Sequence, residues 1–151
     1  MILRRPMPSE LSVIVDLKFA MFAEAGRVHL FSDRFREWVL ADYRRLYSTD
    51  EAVHFVATED NEIVGMAGGF IKMDLPYRYF KNPRYGFIGD IYTKPKARGR
   101  GPAHGLRGRV LEWCWSHGVD AVRLLASEDG RPIYPRLGFI STDGMVLYRR
   151  G

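Results

Sequence analysis

Apolar residues at helical spacing alternate along this chain with stretches where every second residue is apolar, and the switches between the two periods divide it into elements. Leu11, Ile14, Val15, Phe19 and Phe22 recur at intervals of three and four, which predicts a helix whose run Gly26 can end. Ser9 is placed to cap its start through the side-chain hydroxyl. A second helix is predicted from near Ser32 or Asp33, with Phe35, Trp38, Val39 and Leu46 on its buried side. The period then changes to two. Val53, Phe55 and Ala57 alternate with His54, Val56 and Thr58, Asp60-Asn61 reads as a tight turn, and residues 62–71 continue as the second arm of a hairpin.

Further strands are predicted at residues 2–5, 85–93 and 121–126, and last ones at Phe139-Ile140 and at residues 145–148. Pro102 suits the first turn of a helix, where no amide donor is needed, and Leu106, Val110, Leu111 and Cys114 give that helix its buried face up to Gly118. A short helix is predicted over residues 132–137, ending at Gly138. Residues 72–84 hold two prolines and three aromatics and read as a long surface loop. The order β-α-α-β-β-β-α-β-α-β-β implies one α/β or α+β sheet with helices on its faces.

A length of 151 residues with 46% hydrophobic content suits one domain around one core, here taken as residues 1–151. No apolar run is long enough to span a bilayer, and residues 6–10 do not continue the basic start as a signal sequence would, so no membrane partner is expected. The single cysteine, Cys114, excludes an internal disulfide framework and points to a reducing, cytoplasmic setting. His29, His54, His104 and His117 show no paired metal-site spacing, so no metal is expected and each reads as an ordinary surface or core histidine. A net charge of +5 and a pI of about 9.5 attract polyanions, either nucleic acid or a cofactor with several phosphates.

Residues 86–117 read as strand, glycine-rich loop, helix. A helix N-terminus offers unpaired amide protons and a partial positive charge, which suit a phosphate. Gly99 and Gly101 allow close backbone approach, and Arg98 and Arg100 add charge that can pair with phosphate oxygens. The loop lacks the Gly-Lys-Ser/Thr of a nucleoside-triphosphate loop, and its spacing fails the dinucleotide fingerprint.

Arg98-x-x-Gly101-x-Ala103 resembles the acetyl-CoA loop of the GNAT superfamily of N-acetyltransferases, written Gln/Arg-x-x-Gly-x-Gly/Ala. Gly89-Asp90-Ile91-Tyr92-Thr93 with Lys94-Pro95 is similar to the strand that enters that loop. Leu124-Leu125-Ala126-Ser127, Gly130-Arg131-Pro132-Ile133-Tyr134 and Leu137-Gly138-Phe139 resemble the closing segment. The resemblance implies a mixed, mostly antiparallel, splayed sheet flanked by helices on both faces. It implies acetyl-CoA as cosubstrate and an amine as acceptor. Backbone of Ile91, Tyr92 and Thr93 would pair with the pantetheine arm, and amides from Arg98, Gly99, Arg100, Gly101 and Ala103 would take the pyrophosphate. Pro102 belongs to this cradle but donates no proton. Ser127, Gly130 and Arg131 would lie along the cofactor, and Tyr134 would face the leaving thiol as general acid. Asp90 is the candidate for moving a proton from the amine. Relatives are often dimers, which makes a homodimer an expectation.

Three departures from the pattern carry consequences. Gly105 and Gly108 weaken their helix unless they allow close packing. Gly89 stands where some relatives carry an acid suggested as base, which raises a non-catalytic acyl-CoA-binding domain as an alternative. Gly144 stands where glutamate is frequent. Tyr77, Tyr79 and Phe80 among Arg78, Lys81 and Arg84 resemble a single-strand nucleic-acid surface, but at this place in the fold they suit the border of an acceptor cleft better. Glu24, Phe31 and Asp33, at the junction of the first two helices, would border the acceptor as well.

Overall fold

A computed structural model describes residues 1–27, 34–75, 82–142 and 144–149. Five strands form one sheet in the order β1 (Ile2–Arg4), β2 (Ala52–Glu59), β3 (Glu62–Met73), β4 (Arg84–Thr93) and β5 (Val122–Leu124). The first four are antiparallel neighbours, and β4 and β5 run parallel. Helices α1 (Leu11–Glu24) and α2 (Phe35–Ser48) cover one face, and α3 (Pro102–Ser116) covers the other. The mixed, mostly antiparallel sheet with helices on both sides is the architecture the sequence implies.

Because both faces are covered, β2 is buried on both sides, from Ala52 through Thr58. Val53, Phe55 and Ala57 join Leu106, Val110, Trp113 and Cys114 of α3, whereas Val56 joins Leu11, Ile14, Val15 and Leu17 of α1. The β2–β3 turn places Asp60 and Asn61 at φ of 51° and 63°, the paired positive values of a two-residue hairpin turn. Gly105 does allow close packing: a Cβ there would lie 2.6 Å from Leu3 Cδ1, whereas one at Gly108 would meet nothing within 4 Å.

Three sequence expectations need correction. Ser9 does not cap α1. A 3-10 turn over Pro8–Glu10 leads into it, and Glu10 accepts the Met7 amide at 2.7 Å while pairing with Arg4. On α2 the buried residue is Tyr43, and Trp38 is 53% exposed, because the helix turns its polar-aromatic side to the sheet. The short helix expected up to Gly138 is present as a 3-10 helix over Arg131–Leu137, with Pro135 inside it lacking the donor an α-helix would use. Residues 139–140 and 145–148 form no strand and pair with nothing in the sheet. The expected start of α2 at Ser32 or Asp33, and the aromatics Tyr77, Tyr79 and Phe80, lie outside the described residues.

Candidate active site

The parallel pairing of β4 with β5 runs Gly86 to Val122, Phe87 to Arg123 and Ile88 to Leu124, and there it stops. From Gly89 to Thr93 the outer edge of β4 has no strand beside it among the described residues. Ile91, Tyr92 and Thr93 therefore lie along an open edge with backbone groups able to bond a ligand.

Within that same stretch β4 carries an extra residue. Gly68 pairs with Gly89 and Met66 with Tyr92, so three steps on β4 oppose two on β3. The irregularity is a β-bulge, and Asp90 at φ 52° lies inside it. Its effect is to re-aim the side chains. Ile88 faces the α3 core, and plain alternation would send Asp90 the same way. Instead the Asp90 carboxylate turns to the opposite face, under α1 and α2.

There it is almost completely enclosed. Its side chain is 4% exposed, and Lys18 of α1 donates to Oδ1 at 2.7 Å. The Tyr43 hydroxyl of α2 and His54 Nε2 of β2, the latter at 2.9 Å, both reach Oδ2. Lys18 also donates to the Tyr43 oxygen at 3.0 Å, and Tyr47 bonds His54 Nδ1. Burial alone would raise the Asp90 pKa. The hydrogen bond from His54 and the charge and hydrogen bond of Lys18 outweigh it and hold the carboxyl below its ordinary range. Burial, then the Asp90 charge, pushes the Tyr43 phenol well above its usual value, and the same two causes raise Tyr47. A cluster of this kind ties α1, α2 and β2 to the bulge.

Sequence reasoning singled out Asp90 but missed Lys18, Tyr43, His54 and Tyr47. One signal was present. His54 sits inside a β2 strand that is apolar on both alternating rows, so its two ring nitrogens had to find buried partners.

The glycine loop follows β4 after a 3-10 turn over Pro95–Ala97. Arg98, Gly99, Arg100 and Gly101 are exposed, and Gly99 and Gly101 take φ of 82° and 85°, values that exclude most side chains. Gly101 is the N-cap of α3 and no side chain caps that end, so the first amides of the helix have no side-chain acceptor. The two arginines are paired within the chain. Arg98 makes a two-pronged bond to Glu24 at 2.7 and 2.9 Å and donates to the Thr93 carbonyl at 2.9 Å. Arg100 pairs with Glu59 and donates to the Lys96 carbonyl at 3.0 Å. Hydrogen bonding to Arg98 lowers the Glu24 pKa. Phe31 and Asp33, expected near the same border, lie outside the described residues.

The closing segment forms its own small unit. Ser127 accepts the Gly130 amide on its hydroxyl at 3.1 Å and the Arg131 amide on its carbonyl at 2.9 Å. Tyr134 is half-buried and meets the Phe139 ring edge-on at 5.5 Å, and its carbonyl accepts the Phe139 amide. No hydrogen bond joins Tyr134 to the Asp90 cluster, which instead draws on α1, α2 and β2. Cys114 is fully buried on α3, and burial pushes its thiol up to about 11.

Known proteins match this arrangement. The model of the Acetyltransferase (GNAT) family matches residues 21–139. The chain is 27% identical over 119 residues to an aminoglycoside N(6')-acetyltransferase type 1 of Serratia marcescens, a match spanning 73% of this chain and 77% of that relative. Two solved structures superpose with a TM-score of 0.86. One is a GCN5-related N-acetyltransferase from Ralstonia eutropha JMP134, 25% identical over 99% of both chains. The other is a predicted acetyltransferase with acetyl-CoA from Clostridium acetobutylicum, 24% identical over 98% of this chain and 95% of that one. The open β4 edge, the bulge along it and the glycine loop before α3 thus coincide with a family match over residues 21–139: the chain belongs to the GNAT family of acetyltransferases.

Proposed function

We propose that this acetyltransferase moves the acetyl group of acetyl-CoA to a primary amine by direct attack. The observation that carries the reading is the open β4 edge leading, through a 3-10 turn and the glycine loop, to a helix N-terminus that no side chain caps. A pantetheine arm needs extended backbone donors and acceptors, and the adjoining diphosphate needs convergent amides. Residues 91–93 and 98–103 offer the two in that order. The resemblance of the loop, and a relative solved with acetyl-CoA, support the same cosubstrate.

In this reading the amine nitrogen forms a bond to the thioester carbonyl carbon as the C–S bond breaks. The nitrogen gives up a proton, and the departing sulfur takes one. A backbone amide at the bulged stretch polarises the carbonyl oxygen, since a bulge leaves main-chain groups unpaired and fixed in direction. Tyr134 donates the proton to the sulfur. Ser127, Gly130 and Arg131 hold the turn that presents Tyr134. The acceptor is a primary amine, and an aminoglycoside belongs among the first candidates because the Serratia marcescens relative bears that name.

Asp90 takes a different part from the one its sequence position suggested. A carboxylate already holding three donors and kept below its ordinary range is a weak proton acceptor. Its role here is positioning: it pins the bulge from behind, so that the amides on the open edge keep their aim.

The test incubates the protein with acetyl-CoA and a panel of amines, and follows free thiol. Acceptor-dependent thiol release is expected, and Tyr134→Phe should lower kcat by about 10²- to 10⁴-fold while leaving CoA affinity unchanged. Binding of CoA without turnover on any amine would remove the transfer reading, and no CoA binding at all would remove the site.

A further inference from the structure

Ile88 of β4 faces the α3 core, so Tyr85, Phe87 and Gly89 alternate onto the opposite face of the sheet. The register sets Phe70 of β3 and Arg123 of β5 on either side of Phe87, and Lys72 of β3 beside Tyr85. Phe70 packs at the margin of the α1–α2 core, whereas Tyr85 and Phe87 belong to neither core and stay half-buried. Both phenylalanine rings lean toward the open edge. A Cβ at Gly89, where that edge begins, would lie 3.3 Å from Phe87 Cε1 and 3.4 Å from Phe70 Cε2. Lys72 Nζ stands 3.8 Å from the centre of the Phe87 ring, and the Arg123 guanidinium 4.1 Å from that of Tyr85. Arg123 also reaches Asp74 at 3.7 Å, but Lys72 pairs with no carboxylate among the described residues.

We propose that this aromatic floor selects the acceptor, and that its amine is carried on an aromatic ring whose far side bears a carboxylate. The inference rests on the acetyl-transfer reading for the part the amine plays, since it takes the edge at Gly89 as the place of reaction. Aromatic side chains left outside both cores offer a flat apolar surface to a flat apolar body. At the reacting end the ring edges sit where a side chain at position 89 would start, so that end is apolar. The other end is cationic, through Lys72 and Arg123, and complements an anion. An aminoglycoside has no aromatic face and would bring several ammonium groups up to those two cations. The name of the Serratia marcescens relative and this face of the sheet therefore point to different acceptors.

The probes are para-(aminomethyl)benzoate, benzylamine and kanamycin, each assayed with acetyl-CoA for thiol release. Their kcat/KM should fall in that order, the benzoate leading benzylamine by about threefold to fivefold, as an exposed ion pair allows. Lys72→Gln should erase that lead, Lys72→Glu should reverse it, and Lys72→Arg should keep it. Phe87→Leu should raise KM for both aromatic amines by about threefold to tenfold with an unchanged circular dichroism spectrum. Calorimetry of the same probes on the CoA-loaded protein repeats the ranking without the chemistry. The expected ranking in binding with no thiol release would remove the transfer step and leave the ring-and-carboxylate site standing. Kanamycin ahead of the aromatic amines in either measurement overturns the proposal. So does a benzoate lead that survives Lys72→Glu, and so does failure of all three probes to bind.

Discussion

Two charged regions flank the open edge of β4, and they use similar groups in opposite ways. Behind the bulge, Asp90, Lys18, Tyr43 and His54 are packed between two helices and the sheet, with Asp90 and His54 buried and each polar atom of the carboxylate bonded. At the far end of the same strand, Arg98 and Arg100 lie in water, bonded to Glu24 and Glu59 across exposed surface. Removing one member of the first set strands a charge away from solvent, whereas water can replace any member of the second. The inner set therefore fixes geometry. The outer set can exchange a carboxylate partner for a phosphate with little loss, which is what a loop that binds and releases a cofactor requires.

The sharpest way to break this contrast is Asp90→Ala. It leaves the Lys18 ammonium without its counter-charge and the Tyr43 and His54 donors without their acceptor, and stability should fall by about 3–5 kcal/mol in urea denaturation. Arg98→Ala, a change of equal chemical size at the exposed end, should leave the denaturation midpoint where it is. Equal effects at the two sites would mean that burial does not separate them. Asp90→Gly adds a finer comparison. Glycine accepts the positive φ at this position, so a bulge held by backbone alone would survive. Loss of kcat in that variant with CoA affinity kept would assign the aim of the bulge to the cluster.

Acid should cost the inner region most, because its carboxylate is the one held furthest below its ordinary range. The folded pKa of Asp90 lies below its ordinary value of 3.8, so its contribution is complete above that pH and is lost as pH falls through the folded value. Glu10, held at about 2 by the Arg4 hydrogen bond, adds to the same slope on a smaller scale because it is less enclosed. Thermal melts should be level above pH of about 5 and decline steadily below about 4. The Asp90→Asn protein should show a shallower decline, and identical slopes would remove Asp90 from the acid response.

The loop should respond to shape more than to charge. Gly101→Val forces a branched side chain into the left-handed region at the N-cap of α3, at a strain of roughly 1–2 kcal/mol. The distorted amides should also weaken acetyl-CoA binding, as measured by calorimetry. The opposite result, normal binding with reduced stability, would separate the loop's conformation from its use.

Periodicity carried most of the frame into view from sequence. The β2–β3 hairpin, its Asp60-Asn61 turn and the start of α3 at Pro102 are set by local rules that need no tertiary knowledge. The inner cluster was hidden because its members are separated by as many as 72 residues, Lys18 to Asp90, and only the bulge brings the carboxylate to that face. Alternation alone would have turned Asp90 toward α3. Trp38 and residues 145–148 misled for a related reason: apolar character predicts burial, but not against what. The loop was legible because its glycines and arginines are neighbours in sequence, whereas the open edge was expected only from the family resemblance.

The smallest expected effect is also the most direct probe of the outer region. Glu24 holds the Arg98 guanidinium that the cofactor reading assigns to the diphosphate, with both carboxylate oxygens engaged. If carboxylate and phosphate compete for it, Glu24→Gln should tighten CoA binding, by no more than about fivefold because the pair is exposed and screened. The gain should shrink as salt is raised, since added ions weaken the Glu24 pairing in the parent protein too. Weaker binding in the variant would reverse the assignment: Glu24 would then be the group that holds Arg98 in place for the ligand, and the outer pair would belong with the inner cluster as fixed geometry.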